Sequence, residues 1–259
     1  MAADTVQPSS GGASSFLGGG GEAGALMRAH DWSKSPLGPP DQWPQSLRTV
    51  VGLMLNSRFA MFVAWGQELN FLYNDAYAAI LGEKHPSALG ARFRDVWSEI
   101  WDEIVPMVDA ALRGESLYHQ NLPLTMNRFG YDEATWFTFS YSPVHSDAGQ
   151  VCGMFCVVTE TTSQVRAEAR QAFRLALEER LRDLADPVAV MATAAEAVGR
   201  ELKVGRVGYG EVDPDGGHIA IARDWTDGRV ANVAGRFRLE DFGAAMIDQH
   251  NYQIMGACA

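Results

Sequence analysis

The chain has 259 residues and 47% hydrophobic content, enough apolar material for one or two globular cores. Its 21 basic and 32 acidic residues leave a formal charge of -11, which repels phosphate backbones and anionic headgroups, so neither nucleic acid nor a membrane surface is expected as a partner. Cys152, Cys156 and Cys258 form no spaced framework, the first twenty positions lack the parts of a secretory signal, and no apolar run approaches the ~20 residues that cross a bilayer; a reducing cytoplasm fits best.

Residues 1–25 are rich in Ser, Gly and Ala, and with the run Gly18 to Gly21 they predict a flexible tail. Asp31-Trp32, Pro36-Leu37-Gly38-Pro39-Pro40 and Trp43-Pro44 then mark a turn-rich approach to a helix over 45–55, with Leu47, Val50, Val51 and Met54 at helical spacing. Short apolar runs at 61–65 and 69–73, joined by Gly66-Gln67-Glu68, predict a hairpin. Asn74 and Asp75 suit a helix start, carried by Tyr77, Ile80 and Leu81 and ended by Gly82. Residues 93–112 predict one longer amphipathic helix, with Trp97, Trp101, Ile104, Val108 and Leu112 on a face.

Three strands are expected at 118–126, 134–141 and 150–159, with Phe137, Phe139 and Tyr141 alternating against Thr138 and Ser140, and Ser146-Asp147-Ala148-Gly149 as a turn. Two early and three late strands fit one five-stranded antiparallel sheet with helices on one face, an α+β arrangement.

These residues resemble the PAS fold over 26–162: strand, turn, strand, Asn74-Asp75-Ala76-Tyr77, Leu81-Gly82, then Asp147-x-Gly149 leading into Gly153-Met154-Phe155 and Thr159-Glu160-Thr161-Thr162. The leader His30-Asp31-Trp32-Ser33, Pro36-Leu37-Gly38-Pro39 and Trp43-Pro44-x-Ser46-Leu47-Arg48 resembles the segment that opens PAS domains in many proteobacterial sensor histidine kinases. The resemblance implies a domain that senses a small-molecule ligand or dimerises and biases a downstream kinase, with a response regulator as partner only if the full-length protein is a kinase.

Residues 163–185 predict a connector helix, in which Val165, Ala169, Phe173, Leu177, Leu181 and Leu184 form an apolar stripe among opposite charges. The stripe suits packing against its copy in a homodimer, or equally a surface helix resting on its own domain. Asp186-Pro187 then starts a helix, and 206–212 and 218–225 alternate like strands around Asp213-Pro214-Asp215-Gly216-Gly217. This order resembles the opening of a GAF domain. Residues 186–259 fall short of the ~100 to 150 of such a domain, so a partial GAF-like α/β segment with a truncated terminus is expected.

No catalytic motif emerges. The six histidines show no metal spacing, and Gly18 to Gly21 precede no P-loop lysine. Flavin photoreceptors of the PAS superfamily carry a reactive Cys where this chain reads Tyr77-Ala78-Ala79-Ile80-Leu81, which argues against a flavin–cysteinyl adduct; haem-binding PAS domains use a His on the long helix, and 93–112 has none. Cys152 and Cys156, four apart on a strand, lie about 13 Å apart on one face, too far to chelate one metal. A candidate ligand pocket comprises Trp97, Trp101, Met107, Phe137, Phe139 and Tyr141, which equally suit plain core filling. Trp136, on the other face, is a candidate dimer contact. The reading is a cytoplasmic sensory input module of a two-component histidine kinase; the alternatives are a stand-alone dimerisation adaptor and the input module of a cyclic-dinucleotide enzyme.

Overall fold

The computed structural model describes residues 15–242; the expectations for residues 1–14 and for the terminal tail, with His250 and Cys258, lie outside these. Two units are present, Met1–Arg166 and Ala167–Ala259. Among the described residues no helix is long and apolar enough to cross a membrane.

Strands β1 (Ala60–Trp65) and β2 (Asn70–Tyr73) form a hairpin whose turn needs left-handed backbone at Gly66, φ 80°, a conformation that costs glycine nothing. The later strands are β3 (Leu117–Asn127), β4 (Asp132–His145) and β5 (Val151–Glu160). They assemble in the order β2-β1-β5-β4-β3, all neighbours antiparallel. Helices α1 (Gly21–Ala29), α2 (Gln45–Leu55), α3 (Asp75–Leu81), α4 (Phe93–Val96) and α5 (Trp101–Leu112) complete the first unit. Burial along β4 alternates through Thr135, Phe137, Phe139 and Tyr141, as for a sheet with one covered face, whereas every residue from Phe62 to Trp65 and from Asn70 to Tyr73 is buried. A strand buried at successive positions is covered on both faces, so β1 and β2 lie inside the unit. Helix α2 packs against both of these strands and buries Leu47, Val51, Met54 and Leu55.

Two expectations are corrected. The single helix over 93–112 is broken: α4 ends at Trp97, φ -117° and ψ 40°, and a 3-10 turn, Ser98–Ile100, precedes α5. Burial of Trp97 and Ile100 fixes the break, and the Lys84 ammonium supports it by donating to the Val96 carbonyl and to Glu99 Oε1, both at 2.6 Å. The apolar spacing cannot report such a change of axis, because it records which positions are apolar and not the hydrogen-bond pattern that sets the axis. The flexible tail is also corrected within the described residues. A 3-10 turn, Ser15–Leu17, and α1 bury Leu17, Ala23 and Met27; Ala23 N donates to Asp75 Oδ1 at 2.6 Å and Arg28 to the Leu17 carbonyl. A Cβ at Gly24 would overlap the Gly19 carbonyl, so glycine here permits close packing rather than freedom.

Helix α6 (Thr162–Leu181) starts at the end of the first unit and continues in the second, where α7 (Pro187–Leu202) follows. The Asp186 carboxylate caps α7 by accepting from Val188 N at 3.2 Å and Ala189 N at 3.3 Å. A three-stranded sheet follows, β6 (Arg206–Val212), β7 (His218–Thr226) and β8 (Gly235–Arg238), in the order β6-β7-β8. Helix α7 packs on β6 and β7, burying Ala195, Ala197 and Gly199.

A Cβ at Gly153 of β5 would overlap the Ala64 carbonyl oxygen of β1 and lie 3.0 Å from Trp65 Cα. Backbone of a paired strand cannot step aside as a side chain can. Gly153→Ala is therefore expected to cost about 1–3 kcal/mol in urea unfolding of the first unit; an unchanged midpoint would contradict this packing.

Candidate functional site

Inward side chains of β1, β4 and β5 face α3, α4 and α5 across an apolar cavity of about 40 Å³. Of the expected pocket residues, Trp97, Phe137, Phe139 and Tyr141 line it; Trp101 and Met107 do not, and pack partly buried against the core. The break at Trp97 resets the helix, so Ile100 and Ile104 take the inward positions and Trp101 turns aside to meet the Phe93 ring edge-on at 6.2 Å. Phe62, Tyr77, Cys156 and Val158 are among the other lining residues and were not foreseen. Strand parity would have found two of them, since Phe62 and Cys156 are register partners across β1 and β5.

The volume accommodates a few waters at most, against the ~300–1,000 Å³ of ordinary ligand pockets. Aromatic packing fills the rest: Phe62 lies 5.1 Å from Phe71, 5.2 Å from Tyr77 and 5.0 Å from Phe93. Three weakly acidic groups converge here. Burial pushes the Tyr77 phenol well up, with the Cys156 charge adding and a hydrogen bond from Trp97 opposing. Burial likewise raises Tyr141, reinforced by Cys156 and Tyr77, and raises the Cys156 thiol. Cys152 on the same strand is only partly buried.

A second cluster lies at the root of α6. Arg128, in the turn between β3 and β4, is 6% exposed; its Nη1 donates to Glu160 Oε2 at 2.8 Å and its Nη2 to Glu133 Oε2 at 3.1 Å. Burial disfavours the guanidinium charge, but hydrogen bonds and charges from Glu160 and then Glu133 outweigh it, so the pKa is raised and the cation persists. Glu160 Oε1 also accepts from the Thr162 hydroxyl at 2.9 Å. Thr161 N donates to the Trp136 carbonyl at 2.8 Å, and Trp136 N donates to Thr162 Oγ1 at 3.0 Å. Arg166 closes the first turn, its guanidinium 5.9 Å from the Trp136 ring centroid and its Nη2 donating to the Ala134 carbonyl at 2.8 Å. Trp136, expected as an outward dimer contact, is thus partly occupied within its own unit.

Beyond this turn no residue of α6 is buried. Within the second unit Phe173 and Leu177 of its stripe face a cleft of about 240 Å³ shared with Ala197 and Glu201 of α7, and Arg180 lies 3.9 Å from Glu196.

Two outcomes follow. Arg128→Met leaves two carboxylates without their cation and is expected to cost about 3 kcal/mol in urea unfolding, at the low end for a buried pair because Glu160 keeps some water contact; adding Glu160→Gln should recover part of the loss, and full additivity would refute the clamp. Burial raises the pKa values of Tyr77 and Tyr141 well above the ordinary phenol value, and it raises that of Tyr73 to about 12, with the Glu22 charge adding. A raised folded pKa means the contribution is complete below the unfolded value of about 10 and is lost as pH climbs through the folded one. Stability measured by urea unfolding should fall steeply between pH 10 and about 12.

Residues 55–166 match the family model described as the PAS fold. No curated protein sequence matches the chain. Similar solved structures include an RNA-binding light-oxygen-voltage receptor, at 19% identity and TM-score 0.36, with 50% of this chain and 36% of that one covered. The Rhodobacter sphaeroides LOV protein aligns at 18% identity and TM-score 0.39, over 61% of this chain and 97% of that one. A sensory box sensor histidine kinase from Vibrio cholerae aligns at 15% and 0.31, over 45% and 92%. The chain thus spans little more than a third of the first of these. The sheet order and the family match give the first unit a PAS-like fold.

Proposed function

We propose that the first unit is a cytoplasmic sensory input module whose output leaves through α6. The observation that carries this reading is the bonding of the first turn of α6 to the sheet through Glu160, Thr161 and Thr162, while the helix beyond buries none of its residues. A change of packing in the core has a direct mechanical route to the base of this helix. The ligand is a small apolar molecule whose binding opens the cavity, and the two core arrangements differ in affinity for it. In this reading the chain forms a homodimer through the PAS face and α6, residues 186–242 form part of a GAF-like module, and the parent protein is a proteobacterial sensor histidine kinase that hands its signal to a response regulator.

The small cavity favours a second reading, a dimerisation adaptor whose core takes no ligand. Native mass spectrometry and absorption spectra of the gently purified chain, combined with sedimentation, decide between them. A retained small molecule supports the sensor. A ligand-free, concentration-independent dimer supports the adaptor, and a ligand-free monomer overturns both.

A further inference from the structure

The loop between β6 and β7, Asp213-Pro214-Asp215-Gly216-Gly217 with His218 opening β7, brings three potential metal ligands together. Asp213 N donates to the His218 carbonyl at 2.9 Å and Gly216 N to the Asp213 carbonyl at 2.8 Å, with Gly216 at φ 71°. These bonds curl the loop until one ligand atom from each of Asp213, Asp215 and His218 lies within 4.8 Å of the others. Separations of this order close onto a single ion by small side-chain rotations, since metal–nitrogen and metal–oxygen bonds are about 2.0–2.2 Å long.

Asp213 and His218 are half-buried, and Asp215 is exposed. His218 Nδ1 is shielded from solvent and has no hydrogen-bond partner, an unmet demand that a solvated turn does not explain. Arg236 of β8 pairs with Asp213 Oδ2, and among the described residues no other ion pair is made to the three side chains. Two carboxylates against one guanidinium leave a net negative pocket beside an imidazole.

We propose that Asp213, Asp215 and His218 form a binding site for a divalent transition-metal ion of the zinc class. The imidazole decides the class: calcium and magnesium prefer all-oxygen shells, whereas one nitrogen with two carboxylates suits Zn²⁺ or Co²⁺, with water completing the coordination. A search for histidine pairs, or for a histidine and a carboxylate one helical turn apart, misses this set because a reversing loop rather than a helix assembles it. Arg236 competes with the ion for Asp213.

The test is calorimetric titration of the chelator-stripped full chain with Zn²⁺, checked by the visible absorption of added Co²⁺. One saturable site is expected, weakened at least tenfold by His218→Asn and by Asp215→Asn. Arg236→Met, which removes the competing cation, should tighten binding several-fold, a response that adventitious binding at scattered histidines would not give. Because Asp215 is exposed, its variant keeps the test decisive even if the His218 variant unfolds. Absence of saturable binding, or binding unchanged in the Asp215 and Arg236 variants, overturns the proposal.

Discussion

The first unit depends on the pairing of β1 with β5, which joins Ala60 to Val158 and Trp65 to Gly153. These strands are brought together across nearly a hundred residues of chain, so closing the loop costs entropy that local contacts cannot offset. Burial does. With β1 covered on both faces, Phe62 and Ala64 contribute to one layer while Val63 and Trp65 contribute to the other, and the pairing is fixed because a slip by one residue would exchange the two sets. The same pairing places β5 between β1 and β4, so its end is restrained when it reaches Glu160 and the start of α6.

A core filled to this degree constrains any ligand. Enlarging the present cavity of about 40 Å³ to the ~300 Å³ of a modest ligand site, if the space stayed empty, would cost roughly 6 kcal/mol at about 24 cal/mol per Å³. That is comparable to the whole stability of many domains. An open, empty pocket is therefore not a resting state for this sequence, and opening must be coupled to occupation. The cavity residues Trp97, Ile100 and Ile104 sit at or just after the helix break and not inside a continuous rod.

Much of this architecture is legible in the sequence because it is local. The alternation Phe137, Phe139, Tyr141 gives β4 its inward face, and the hairpin of β1 and β2 follows from two apolar runs around Gly66. Features decided by tertiary contact are not legible. Nothing in the spacing from Trp97 to Val108 announces a 3-10 turn, and nothing in the run Gly18 to Gly21 separates glycine used for closeness from glycine used for freedom. The strand β8 escapes notice because Gly235-Arg236-Phe237-Arg238 carries one apolar residue and pairs only because β7 offers it an edge. Arg128 reads as an ordinary charge in a turn, since both its carboxylate partners are supplied by chain reversal: Glu133 across the hairpin and Glu160 from β5.

That arginine has a further consequence. An apolar trio of similar volume would hold the site about as well, because desolvating a guanidinium and two carboxylates cancels most of their attraction. The significance of the cluster is accordingly geometric. A bidentate donor fixes direction as well as distance, and Arg128 directs Nε and Nη2 to Glu133 of its own hairpin and Nη1 and Nη2 to Glu160, the last residue of β5, with Thr162 sharing the same carboxylate. The root of α6 is thereby referenced to the β3–β4 turn on one side and to the Trp136 backbone on the other. A shift of β5 relative to β4 would therefore strain both sets of bonds at the base of the helix.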